Sequence, residues 1–202
     1  MADEEREVLT IGHSSHTMEH FLGLLREAGV TAVADVRSAP HSRHVPQFNH
    51  DALKAALREA GIAHVYLGRE LGGRPQNKAQ YRDGVADYEK IAASDAFQAG
   101  LQRVLDGAAA HRIALMCAEQ LPLDCHRCLL VGRALAARGV RVCHLLADGS
   151  TATQADIEAE LLRRTGRDKD DLFMSPDERL ATAYREYAHK VAFAAAEQDR
   201  TA

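Results

Sequence analysis

The stretch Glu27-Ala28-Gly29-Val30-Thr31-Ala32-Val33-Ala34-Asp35-Val36 carries the end of one element and the whole of the next. Upstream of it, Phe21, Leu22, Leu25 and Ala28 share one face at a 3.6-residue period, which predicts an amphipathic helix near 17–28. Gly29 stops that helix, because the residue after a helix end often turns left-handed and glycine does so without a Cβ clash. The residues that follow are small or β-branched and apolar almost throughout, as in a strand covered on both faces.

The same phrase returns twice. Glu59-Ala60-Gly61-Ile62 leads into Ala63-His64-Val65-Tyr66-Leu67, and Ala137-Arg138-Gly139-Val140 leads into Arg141-Val142-Cys143-His144-Leu145-Leu146. Helix-to-strand turns repeated in this way predict an α/β fold: a mostly parallel five-stranded open sheet with helices on both faces. Strands are expected near 7–12, 31–36, 62–67, 113–117 and 141–147, and helices near 17–28, 50–60, 81–92, 95–110 and 124–138. The polar, glycine-rich segment 68–80 reads as a long mobile loop. Past Ser150 the composition turns helical, and Ser175-Pro176-Asp177-Glu178 is a capping box with proline at its first helical position, opening a helix to about residue 197. An α/β domain over 1–150 is therefore expected to carry a C-terminal helical extension over 151–202, either packed on the core as an appendage or forming a dimer contact.

At 202 residues the chain supports one well-cored domain. A net charge of -4 argues against a broad basic surface for duplex nucleic acid, although a local arginine pocket is compatible with it. No apolar run approaches the roughly 20 residues that span a bilayer, and the first residues, Met1 to Glu7, are acidic without a signal-peptide core. Cys117, Cys125, Cys128 and Cys143 are the only cysteines, and the first 116 residues have none. A disulfide framework would be more widely spread, so reduced thiols in a cytoplasmic protein are expected.

Candidate site residues follow from strand positions, since ligands of open parallel sheets sit beyond the carboxyl ends of the strands. His13 and Ser14 follow the first strand. Asp35 and Arg37 close the second, with Arg43 soon after. Cys117 and Glu119 end the fourth, and Asp124 is expected to open a helix with Cys125, His126 and Arg127 in its first turn. Such a helix end favours anions and thiolates. Cys125, with or without Cys117, is then nucleophile or sulfur carrier, His126 or His13 acid/base, and Glu119 or Asp35 the orienting carboxylate. Arg37, Arg43 and Arg127 would hold an anion beside His13 and Ser14. Each residue also has a plainer reading. Cys117 fills core space, Asp35 and Arg37 form a structural ion pair, His13 caps the first helix, and Arg127 pairs with Asp124 or Glu119. His144 and Cys143 read as core.

Cys125-x-x-Cys128 has the spacing of a redox dithiol but carries a basic pair between its cysteines. The four cysteines lack a second close-spaced pair for zinc, so no metal or cofactor is expected from them. These residues predict a cysteine-dependent transferase or hydrolase acting on a small anionic or phosphate-containing substrate. The alternatives are a domain that binds a phosphate, a nucleotide or a nucleic-acid end without covalent chemistry, and a metal-dependent hydrolase using His13, Glu119 and His126.

Three segments together, Thr10 to Ser14, Asp35 to Arg37 with Pro40 to Arg43, and Cys117 to Glu119 with Cys125 to Arg127, resemble the family catalogued as domain of unknown function number 488. Phe48-Asn49 and Leu71-Gly72-Gly73 fit the same pattern, and the resemblance runs from about residue 8 to 147. It implies an α/β fold in a bacterial or archaeal cytosolic protein and no established activity. Cys128 stands where such sequences usually carry an apolar residue, which counts against the dithiol and the four-cysteine zinc set. A looser similarity, of Asp35-Val36-Arg37 and Cys117 to the rhodanese-like sulfurtransferases, implies related topology more than chemistry. Those proteins return to helix soon after the cysteine and lack the Cys-His-Arg.

Overall fold

The computed structural model describes residues 6–195. Most of the acidic start, and the end expected for the last helix at 197, lie outside these residues. The chain runs β1 (Glu7–Gly12), α1 (Met18–Glu27), β2 (Ala32–Asp35), α2 (His50–Glu59), β3 (Ala63–Tyr66) and α3 (Gly68–Leu71). It continues through β4 (Tyr81–Arg82), β5 (Val85–Ala86), α4 (Tyr88–Ala92), α5 (Asp95–Gly107) and β6 (Ile113–Cys117). The π-helical segment Arg127–Gly132 then runs into α6 (Arg133–Ala136), followed by β7 (Arg141–Leu145), β8 (Thr151–Thr153), α7 (Gln154–Arg164) and α8 (Pro176–Val191). The three predicted helix stops hold, with Gly29, Gly61 and Gly139 at φ of 67°, 73° and 77°.

The fold is α/β with a mostly parallel central sheet in the order β3-β2-β6-β1-β7-β8. The five expected strands are parallel to one another, and a sixth, β8, adds antiparallel to β7 at the edge. Side chains alternate across it. Leu9, Ile11, Val33 and Met116 meet Phe21, Leu25, Leu53 and Leu57 of α1 and α2 on one face. Val8, Ala34, Val36 and Leu115 face the other side, in one core with Phe97, Leu101, Val104 and Leu105 of α5 and with Leu129 and Leu135. Burying each of the larger side chains contributes about 1.5–3 kcal/mol. Leu161, Ala183 and Tyr184 belong to this second core, so the segment past 150 packs on the sheet and supplies its last strand.

Four local expectations are corrected. The helix expected over 81–92 is instead the β4–β5 hairpin followed by α4, because Asp83 and Gly84 take φ of 51° and 80°, the backbone of a tight two-residue hairpin turn. Segment 68–80 is not an open loop. It begins with α3, and Gly72 packs so close that a Cβ would meet Gly68 O and Ser38 Oγ at 2.3 Å. The helix expected over 124–138 starts later: Pro122–Asp124 is a single 3₁₀ turn, and Cys125 returns to extended backbone at φ −141°, ψ 140°. Finally, α8 ends at Val191, and Ala194 bridges to Val85 of the hairpin.

Candidate functional site

β1 and β6 are neighbours whose following segments leave to opposite faces, α1 toward one core and the π-helical segment toward the other. Beyond their carboxyl ends a crevice opens, as expected where such connections diverge. Backbone bonds hold its floor: His13 N–H donates to Cys117 O and Ser14 N–H to Ala118 O, both at 2.9 Å. The cavity there has a volume of about 310 Å³ and is bounded by residues of β1, β2 and β6 ends, the glycine loop and the C-terminal segment.

Four donor side chains converge on the floor. The Cys117 and Cys125 sulfurs lie 3.0 and 2.9 Å from Glu119 Oε2, and 3.6 and 3.7 Å from His126 Nδ1. His126 Nε2 donates to Val36 O at 2.9 Å, which fixes the ring and leaves Nδ1 toward the sulfurs. Cys117 gets there as the last residue of a buried strand. Cys125 immediately precedes His126, which caps the following helix: the Cys125 carbonyl accepts from Cys128 and Leu129 N–H, and its sulfur accepts from Arg127 N–H at 3.4 Å. The helix begins in a wide π turn, a form that often accompanies functional sites.

The groups titrate together. Burial pushes the Cys117 thiol well up, reinforced by the Cys125 sulfur and the Glu119 carboxylate. Burial alone would also raise Cys125, but the hydrogen bond with Cys117 and the nearby Arg127 and His126 charges bring it well below the usual thiol range. His126 is lowered by burial and raised more by the Cys125 sulfur, so its net direction is upward. Desolvation in the cavity and the Cys125 sulfur raise Glu119.

The second arm is an ion pair at the end of β2. Arg37 donates through Nε and Nη2 to the two oxygens of Asp35 at 2.9 and 2.7 Å, and Asp35 is fully buried. Arg37 Nη1 lies 3.1 Å from His13 Nε2, while His13 Nδ1 donates to Ser14 O and the ring stacks on Phe48 at 4.3 Å. Burial, with Arg37 alongside, lowers His13 to about 4, so its ring is neutral at pH 7. His13 thus neither caps α1, a role taken by Thr17, nor joins Glu119 and His126 as a ligand set.

Three sequence expectations are relocated. Arg127 is fully buried and donates through Nη1 to Glu119 O and through Nη2 to Gln120 O, the latter at 2.8 Å; it clamps the loop after β6 and does not face the cavity. Arg43 is exposed and lies off the cavity wall. Ser14 contributes its backbone in a left-handed conformation, φ 47°, and its side chain does not line the cavity. Cys128 and Cys143 lie elsewhere. Cys128 Sγ lies 3.9 Å from His144 Nε2, and Cys143 sits near Glu7, so the four cysteines do not assemble. His144 is core, bonded to Thr10 and Gln154.

Sequence reasoning missed the upper wall. His41, Ser42 and Arg74 line it, with Tyr88, Val191 and Phe193 on the apolar side. Arg74 lies over the Phe193 ring at 4.7 Å and, among the described residues, has no ion-pair partner. The signal available for it was Gly72-Gly73: a Cβ on Gly73 would stand 2.8 Å from His126 Cγ, so that loop must pass against the site.

Among the described residues no helix is long and apolar enough to cross a membrane. The model of the family described as "Domain of unknown function DUF488" matches residues 17–134, more than half of the chain. No curated protein and no solved structure matches.

Proposed function

Because this chain belongs to the DUF488 family, whose description names no chemistry, we propose its function from the site: a cysteine-dependent enzyme acting on a small anionic substrate, with Cys125 as the attacking sulfur. The observation that carries this reading is the placement of the Cys125 sulfur on a cavity floor between a backbone N–H and an imidazole, beneath cationic walls. A nucleophile, its base and a group orienting that base within contact distance form the pattern of covalent catalysis.

In this reading Arg74 and His41 draw the anion in, against a wall that the Asp35-paired Arg37 helps to form. His126 Nδ1 takes the Cys125 proton. The sulfur then bonds to the electrophilic centre of the substrate as the bond to the leaving group breaks. The leaving group departs with that electron pair and collects the proton from His126. Water or a second acceptor then releases the bound group from sulfur. The Val36 carbonyl keeps the ring aligned through both transfers. A 310 Å³ space limits the substrate to a small molecule or the tip of a larger one.

The non-covalent phosphate-binding alternative used Arg37, Arg43, Arg127 and the start of the 124–138 helix as anion holders; of the three arginines only Arg37 lines the cavity, and it is ion-paired to Asp35. The test is mass-spectrometric tracking of iodoacetamide labelling of the native full chain with EDTA present. Cys125 should label ahead of Cys128 and Cys143, and saturating phosphate should slow it. Labelling of Cys125 only on global unfolding would refute the proposal.

A further inference from the structure

The floor of the cavity concentrates donor atoms. Two thiols, a carboxylate and an imidazole bring their donor atoms within 4.8 Å of one another, and Cys117, Cys125 and His126 are buried. Among the described residues no lysine or arginine side chain hydrogen-bonds any of these four donor atoms. The Arg127 guanidinium is spent on the carbonyls of Glu119 and Gln120, and that of Arg37 on Asp35. Thiols and an imidazole gathered in a buried setting, with a carboxylate beside them, are a donor set that metal ions commonly hold together.

We infer that Cys117 Sγ, Glu119 Oε2, Cys125 Sγ and His126 Nδ1 form a site for a thiophilic divalent cation, with zinc the ion this donor set suits best. The inference rests on the reading of this floor as the functional centre, and it adds how that centre is held inactive. Thiolate with imidazole and carboxylate is a zinc donor set, and four such donors complete a tetrahedron. The second shell is already in place. His126 Nε2–H is fixed by the Val36 carbonyl, the usual arrangement for a metal-bound imidazole, and Arg127 N–H reaches the Cys125 sulfur. Strand end, loop and helix start each contribute, which explains why the sequence spacing alone did not reveal the set: the ligands are Cys-x-Glu and Cys-His, and not two cysteine pairs. A bound ion occupies the sulfur lone pairs that covalent chemistry needs, so loading and reaction at Cys125 exclude each other.

The test uses the full chain stripped with EDTA and freed of chelator, titrated with zinc against a chromophoric chelator. One zinc per chain should bind with a Kd below about 1 µM, and Co²⁺ in its place should give a thiolate-to-cobalt charge-transfer band. Cys117→Ser and Glu119→Gln should each weaken zinc by at least about tenfold, whereas Cys143→Ser should not. Zinc should also stop iodoacetamide labelling of Cys125. Absence of tight binding and of the cobalt band in the native chain overturns the inference, even where a variant fails to fold. A stripped chain that labels quickly but binds no zinc defeats the metal site and keeps the thiol enzyme. One that binds zinc yet stays unreactive when stripped does the reverse.

Discussion

Replacing Arg127 by Met keeps most of the side chain's volume and removes its charge and both loop hydrogen bonds. Arg127 is fully buried, and its Nη1 and Nη2 donate to the carbonyls of Glu119 and Gln120. Hydrogen bonds from a charged donor are worth about 1.5–3 kcal/mol each, and a carbonyl left unpaired in a buried setting costs about 1–3 kcal/mol. Against this stands relief from burying a guanidinium whose Nε has no partner. The net expectation is a loss of about 3 kcal/mol, which in a chain of this length lowers Tm by about 6–12 °C. Urea unfolding at pH 7, followed by circular dichroism, measures it. Because Arg127 acts on the backbone of the loop that carries Glu119, the variant should also slow Cys125 labelling even where it remains folded. A variant within about 0.5 kcal/mol of the parent would refute the clamp, as would one that keeps full stability and loses only anion protection.

Three further outcomes follow from the same geometry. Burial holds His144 at about 4, against 6.5 for a free histidine, so the folded state refuses a proton that the unfolded chain accepts. Stability from this source is complete above pH 6.5 and falls as pH drops toward 4; about 2–3 kcal/mol should be lost between pH 7 and 4.5, and His144→Gln should remove that part of the fall in matched urea titrations. Gly73→Ala drives a methyl into the His126 ring, and the strain should cost about 1–3 kcal/mol together with Cys125 reactivity. Gly23→Ala, where nothing lies within 4 Å in mid-α1, should instead stabilise by about 0.5–1 kcal/mol; equal effects from the two would sink the packing argument. Arg74→Ala should leave the labelling rate without anion unchanged while abolishing protection by phosphate, and retained protection would remove Arg74 from the anion path.

The sheet was legible because its signals are local. Three glycines with φ above 60° follow helices and precede strands, of which β2 and most of β7 are buried while β3 lies half-exposed at the sheet edge. The hairpin at 81–86 was not, since Tyr81, Val85, Tyr88 and Ile91 also satisfy a helical period, and only the Asp83-Gly84 turn chemistry argued otherwise. At the site, strand ends told which edge the polar residues share, which placed Cys117, Glu119, Arg37 and His13 in one neighbourhood. Arg127 shows why that logic stops short: sequence displays its charge but not the direction of the two carbonyls that capture it. Phe193 had no signal at all, because its role depends on how α8 brings the chain back beside Val85.

That return also divides the cavity lining between two parts of the sequence. The family match closes at residue 134, yet Val191 and Phe193 line the cavity. The cavity is therefore built from both sides of that boundary, with His41, Arg74, Cys117 and Cys125 inside the shared span and the apolar Val191 and Phe193 beyond it. Substitutions past residue 134 can reshape one wall of the cavity without touching the thiols on its floor.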